Sequence, residues 1–183
     1  MKFMDIHLFF YEIFEHFVCS GPSNQLFSRL RYAFYAKYLK NSGGFFTSGT
    51  GFFIVVPENT SIGIDVFFNR NVWLGGVRGE CNSEIVIGDY CQFGPNVVII
   101  PGDHAMNDIT RPIRLQESIP GKIVIEDDCW IGANVTITRD VTIGRGSVIG
   151  ANSVVTRDIP EYSVAVGVPA RVIRNRRSGK WER

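Results

Sequence analysis

The sequence predicts a mainly β solenoid. Two observations carry that prediction: a large apolar residue recurs every six positions, and a small or β-branched residue follows it by four. Val56, Ile62, Phe68 and Leu74 open the series, Ile87, Phe93 and Ile99 continue it, and Ile125, Ile131, Ile137, Ile143, Ile149 and Val155 close it. Thr60, Val66, Val72, Cys91, Val97, Cys129, Val135, Val141, Ser147, Ser153 and Ile159 fill the second slot. A period of six is neither that of a helix nor that of a flat strand. It suits a chain that makes a short strand, turns a corner and repeats, each coil burying its edge against the next. The large residue points into a narrow interior, and the small one fits where walls converge. A glycine commonly follows the large residue, as at Gly63, Gly75, Gly88, Gly94, Gly132, Gly144 and Gly150, and is expected to relieve the corner. Cys91 and Cys129 stand in the small slot and read as packing residues rather than nucleophiles.

The remaining elements follow in chain order. Residues 1–45 read as helical, with Leu8, Tyr11, Ile13, Phe14 and Phe17 on one side, then Leu26, Leu30, Ala33, Phe34 and Tyr38. Such helices cap the solenoid or pack on a neighbouring subunit. Arg29, Arg31, Lys37 and Lys40 among the aromatics also suit peripheral membrane contact through residues 1–42. Residues 46–170 form the solenoid, interrupted twice. From Leu74 to Ile87 the spacing is one residue more than two repeats, and between Ile99 and Ile125 lies an excursion, assigned to 105–124. The small-slot rule fails at Arg78 and Asp103, beside these two breaks. A long excursion from a regular solenoid is ordinarily either a functional loop or a disordered one. Residues 171–183 are a basic tail, with Arg171, Arg174, Arg176, Arg177, Lys180 and Arg183 against Glu182; most of its cations are expected to be simply solvated.

Composition excludes some functions. A net charge of +1 supplies no field that would demand nucleic acid. The four cysteines show no CxxC or metal-ligand spacing. The apolar run from Phe3 to Val18 carries Asp5, His7, Glu12, Glu15 and His16, which argues against a spanning helix. No signal peptide is readable, so the expectation is a cytoplasmic protein, with any membrane contact peripheral at the inner face.

The hexads, together with GPNVVIIPGDH (94–104), RPI (111–113), WIGANVTI (130–137), VTIGRGSVIGANSVVTRDIP (141–160) and GVPARVIR (167–174), resemble the hexapeptide-repeat acyltransferases. The resemblance covers about residues 54–175 and is nearest to the galactoside, maltose and surface-polysaccharide O-acetyltransferases. It implies a left-handed parallel β-helix, an exception to right-handed crossovers. It also implies a homotrimer with active sites between subunits, acetyl-CoA as acyl donor, and no metal.

Acyl transfer to a sugar hydroxyl needs a base. Of three histidines, His7 and His16 lie outside the repeat, whereas His104 stands at the mouth of the excursion, eight residues after Asn96, where the resembled family places its catalytic histidine. Imidazole, with an ordinary pKa of about 6.5, can take the hydroxyl proton and return it to the thiolate. Asp103 and Asp108 are nearby candidates to orient it, as is a backbone carbonyl. By resemblance, the backbone N–H of Ala133 is an oxyanion donor. Ala133, Ala151 and Thr156 line the CoA groove, Arg157 stands where relatives often have lysine, and Arg171 and Arg174 match a basic pair suited to phosphates. On the acceptor side, Asn82 lies near a family polar position that contacts sugar, and Trp130 either walls the site or packs. Leu74 falls near the family's upstream asparagine, which favours a glycan other than a simple galactoside or maltose.

The reading is an O-acetyltransferase for a surface polysaccharide (lipopolysaccharide or capsule) or its precursor. An N-acetyltransferase of an amino sugar nucleotide and a non-enzymatic β-helix scaffold are the alternatives. A zinc enzyme like the gamma-class carbonic anhydrases would need three histidines around the metal, and the repeat holds one.

Overall fold

The computed structural model of the chain describes residues 6–180, with side chains from Glu12 onward. His7, Leu8, Tyr11 and Arg183 therefore lie outside the described side chains. From Asn41 the chain winds into a left-handed parallel β-helix with three flat walls. The first sheet stacks Asn41–Ser42, Thr60–Ile62, Glu84–Ile87, Lys122–Ile125 and Val141–Ile143. The second stacks Thr47–Ser48, Phe67–Phe68, Gln92–Phe93, Trp130–Ile131, Val148–Ile149 and Ser163–Val166, and the third Phe53–Ile54, Trp73–Leu74, Val98–Ile99, Thr136–Ile137 and Val154–Val155. One strand from each sheet makes a coil, and five coils are complete.

The six-residue period maps directly onto these walls. Every large residue of the series, from Val56 to Val155, is at most 2% exposed, and every small-slot residue is buried. Coils are joined by backbone hydrogen bonds such as Gly88 N–H to Ile125 O at 2.7 Å and Val98 N–H to Val135 O at 2.9 Å. The lower interior is aromatic: Phe52 and Phe68 lie 4.6 Å apart, and Phe68 stacks on Phe93 at 4.8 Å between centroids. Buried Cys91 and Cys129 donate their thiols to Glu126 O at 3.1 Å and Gly144 O at 3.4 Å, so both pack as the period requires.

The hexad glycines do a different job from the one expected. The left-handed backbone conformation at the corners falls mainly on Asp65, Tyr90 and Asp128 between the first and second sheets, and on Asn71, Asn96, Asn134 and Asn152 between the second and third. Asparagine tolerates that conformation, and these four also form a ladder, each amide donating to the next at 3.1, 2.9 and 3.0 Å. The glycines are needed because the adjacent coil passes directly over them. A Cβ at Gly94 would stand 2.7 Å from the Ala133 nitrogen, and one at Gly132 would stand 2.6 Å from the Ala151 nitrogen.

Two helices close the lower end, α1 (Ile6–Ser20) and α2 (Gln25–Tyr35). Asn24 caps α2 by accepting the Phe27 N–H at 2.9 Å. Their expected apolar face is largely outside: Ile13, Phe14, Phe17, Leu26 and Tyr38 are exposed, and the buried set is Glu15, Val18, Cys19, Ser28, Arg31, Phe34 and Tyr35. The reason is that the end of a β-helix offers unpaired backbone groups, which need polar partners. Fully buried Arg31 uses its five N–H groups on Val18 O, Gly21 O, Pro22 O, Ser48 O and Ser48 Oγ, at 2.9–3.2 Å. Tyr35 donates to Glu15 Oε1 at 2.9 Å and accepts the Ile54 N–H at 3.2 Å. Burial pushes the Cys19 thiol beside it up to about 11. No helix among the described residues is long and apolar enough to cross a membrane.

The excursion leaves the third coil at Pro101 and returns at Gly121, whose N–H donates to Pro101 O at 2.8 Å. Its stem is an antiparallel pair, Gly102–His104 with Ser118–Pro120. At the upper end Arg171–Asn175 folds back antiparallel onto Ser163–Val166. The tail is less solvated than expected. Arg176 donates to Gly146 O and faces Asp128 at 3.8 Å, while Arg177 lies 3.9 Å over the Tyr162 ring and pairs with Glu161 at 3.1 Å. These contacts exist because the tail crosses the corner of the last coils.

Arg31→Met should lower the unfolding free energy by about 3–5 kcal/mol, since the acceptors it satisfies stay buried. Denaturant midpoints followed by circular dichroism would read this. A loss below about 1 kcal/mol would mean that water replaces the guanidinium.

Candidate active site

The excursion and the walls beside it form the candidate site. His104 ends the outgoing strand of the stem, opposite Ser118, and is exposed. It lines a cavity of about 370 Å³ with Trp73, Val77, Asp103, Thr138 and Arg139. Three successive coils contribute: Trp73 and Val77 from the second, the stem from the third, and Thr138 and Arg139 from the fourth.

Both carboxylates considered as partners of the imidazole are engaged elsewhere. Asp103 Oδ1 accepts the backbone N–H of His104 at 2.8 Å, and Oδ2 lies 3.9 Å from Arg139 Nε. Asp108 Oδ1 accepts the hydroxyl of Thr110 at 2.6 Å and its N–H at 2.9 Å, which holds the Asp108 carboxyl below its ordinary range. Gln116 stitches the loop by donating to Asp108 O and Arg111 O at 2.8 and 3.0 Å. The tip is therefore braced although Ile109 is 95% exposed.

The other sequence-derived residues lie around the solenoid. Thr156 and Arg157 sit exposed at the same corner as His104, between the third and first sheets. Ala133 and Ala151 sit at the next corner, between the second and third sheets, beside the asparagine ladder. Arg171 and Arg174 are exposed on the last strand of the second sheet, and Arg171 donates to Ala170 O at 2.9 Å. Asn82 is exposed on the loop 75–83, and Trp130 is 58% exposed on the outer face of the second sheet. Neither lines the cavity of His104. Trp73 is the tryptophan that does, and Arg139 the arginine. Both were legible in principle. Trp73 precedes the inward Leu74 and must point outward, and Arg139 follows the corner one coil above the excursion.

A second cavity, of about 490 Å³, lies between the start of α2 and the outer face of the second sheet. Its lining mixes aromatic rings, Phe45 and Phe67, with Asn24, Gln25, Arg29 and Asn69. It sits at the level of the first two coils.

Residues 122–157 match the model of the bacterial transferase hexapeptide (six repeats). A solved hexapeptide-repeat-containing acetyltransferase of Vibrio cholerae, complexed with acetyl coenzyme A, superposes with a TM-score of 0.72 at 31% identity, covering 93% of this chain and 90% of that one. A maltose O-acetyltransferase of Clostridium difficile superposes with a TM-score of 0.69 at 26% identity, covering 98% and 90%. The galactoside O-acetyltransferase of Escherichia coli is 37% identical over 131 residues, 71% of this chain and 64% of that protein. The chain spans about one third to two thirds of the length of the curated relatives it matches.

The return of the excursion is pinned by Glu84, which pairs with Lys122 at 2.8 Å and with Lys40. Hydrogen bonds from Lys122 and then Lys40 hold its carboxyl below the ordinary carboxylate range. A depressed folded-state value gives stability that is present above the unfolded value of about 4.3 and is lost as pH falls through the folded one. Wild type should therefore lose more stability than Glu84→Gln on acidification below pH of about 5, by about 1 kcal/mol or less. Parallel pH dependences of the two denaturant midpoints would remove Glu84 from this role.

Proposed function

The chain belongs to the hexapeptide-repeat acetyltransferases, and from that premise we propose that it transfers an acetyl group from acetyl-CoA to a hydroxyl of a sugar, with His104 as general base. The observation that carries the proposal is an exposed imidazole at the stem of a braced excursion, opening onto a cavity walled by Trp73 and Val77. His104 takes the hydroxyl proton as the oxygen attacks the thioester carbonyl. It returns that proton to the sulfur as the carbon–sulfur bond breaks, leaving an O-acetyl sugar and free CoA.

The separation of residues supports a site shared between subunits. Ala133 and Thr138 flank the third-sheet strand Thr136–Ile137 and so lie at different corners of the solenoid. An oxyanion donor must lie about 2.7–3.1 Å from the forming anion. We assign the Ala133 N–H to the His104 of a neighbouring copy. A trimer around an axis parallel to the solenoid sets coils of equal level side by side. His104, at the level of the second to fourth coils, then faces the neighbour's corner between its second and third sheets. On that neighbour the cavity with Phe67, Asn69 and Arg29 lies below, and Ala133, Ala151 and the arginines 171 and 174 lie above.

This order divides the two substrates. Small residues at the upper corner let the pantetheine arm approach exposed backbone, with Thr156 and Arg157 across the groove and Arg171 and Arg174 on its phosphates. The lower cavity, with amides, an arginine and flat rings, suits the hydroxyls and apolar faces of a glycan. We assign that glycan to surface polysaccharide or its precursor.

Calorimetry with acetyl-CoA should show binding by wild type that weakens in Arg171→Ala/Arg174→Ala. No binding at millimolar acetyl-CoA would sink the donor assignment. With an acceptor found by screening glycans, His104→Ala should lower turnover by about 10²–10⁴-fold, and equal turnover would overturn the mechanism. Light scattering should give three times the chain mass, and a monomer would exclude the shared site.

A further inference from the structure

We propose that Arg139 is a positioning residue for His104, acting through Asp103; the inference rests on the reading of His104 as the base. Arg139 occupies the turn after Thr136–Ile137, one coil above the stem of the excursion. Its side chain enters the cavity of His104. The guanidinium pairs with Asp140 on one edge and lies 3.9 Å from Asp103 Oδ2 with its Nε. The other oxygen of Asp103 accepts the backbone N–H of His104. One carboxylate thus holds the residue that carries the imidazole and faces the arginine at the same time.

The turn is built to deliver that side chain. Asp140 adopts φ of 57°, and its Oδ1 accepts the Lys122 N–H at 3.2 Å. A Cβ on Gly121 would stand 2.6 Å from that oxygen and 2.9 Å from the Arg139 Cβ. Glycine at the return of the excursion is what allows stem and turn to approach.

The charges around the imidazole give Arg139 a second effect. Asp103 lies on the same strand, and Glu117 lies across the hairpin, where its carbonyl accepts the Ala105 N–H at 2.9 Å. Asp140 and Arg139 come from the turn. Arg139 is the cation that the cavity sets beside Asp103, so removing one or the other changes the charge around the imidazole in opposite senses. It holds Asp103 in place and offsets its charge.

The test is a proton NMR titration of the imidazole Cε1–H signals in the full chain. The chain has three histidines, and His104→Gln identifies the signal. Arg139→Gln should raise the His104 midpoint by about 0.3–1 pH unit, Asp103→Asn should lower it by a similar amount, and the double variant should fall between them. Amide spectra would establish that each variant is folded. Should Arg139→Gln fail to fold, Arg139→Lys, which keeps the charge, should leave the midpoint near wild type, and Asp103→Asn must still lower it. Midpoints within about 0.1 unit of wild type in both single variants would overturn the proposal. The titration needs no turnover. The expected shifts together with unimpaired turnover in His104→Ala would sink the catalytic reading and leave the coupling standing.

Discussion

Each coil must give its backbone N–H groups to the carbonyls of a neighbouring coil, and the rest of the molecule depends on that constraint. Parallel neighbours then lie about 4.8 Å apart all the way up the solenoid, so no coil can bulge without breaking two sets of hydrogen bonds. The interior becomes a column of fixed width. Phe68, Phe93, Ile131 and Ile149 follow one another on the second sheet because each has the same inward direction. The same closeness rules out a side chain at Gly94 and Gly132. Freedom to vary remains only on outward faces, at corners and in interruptions, so chemistry has to be placed there.

A column of this kind has two open ends, and each needs a cover with hydrogen-bonding capacity rather than merely an apolar lid. The two ends are solved differently. At the lower one Arg31 takes the Ser48 carbonyl, and the Ser28 hydroxyl takes the Ser48 N–H at 3.0 Å. At the upper one the chain adds an antiparallel strand, which satisfies the last parallel strand with backbone alone. The lower solution lets α1 and α2 turn apolar side chains outward, because the cap is held by polar anchors and by Phe34 and Tyr35 rather than by the whole helical face.

The walls were legible in the sequence because a single rule, large residue in and small residue four later, acts from the second coil to the fifth outside the two interruptions. In the first coil Ser48 takes the inward slot, and Phe46 and Phe52 fill the small one. The helices were legible as helices, but not in orientation. Apolar periodicity put Ile13, Phe14 and Phe17 on one side without saying what that side faces, and the buried positions include Glu15, Ser28 and Arg31. A polar residue inside a cap leaves no periodic trace. The glycines were found but misassigned, since a glycine required by a passing coil and one required by a corner look alike in a sequence. At the site, His104 stood out by its place at a break in the period. Trp73 and Arg139 did not, because each flanks a regular hexad and only stacking reveals that three coils converge on one cavity.

The corners also decide how much of a reaction one chain can hold. His104, Thr138 and Thr156 share one corner, and Ala133 and Ala151 share another, with a wall of the solenoid between them. In the proposed trimer a groove between two copies joins unlike corners without bending either column, so a rigid solenoid would surround a substrate that no single chain could enclose. On that proposal neither corner works alone. His104, held within its own subunit through Asp103 as we propose, would be in place before a partner supplied the oxyanion donor. The two halves of such a site would meet as finished surfaces, and assembly would have only to bring them together.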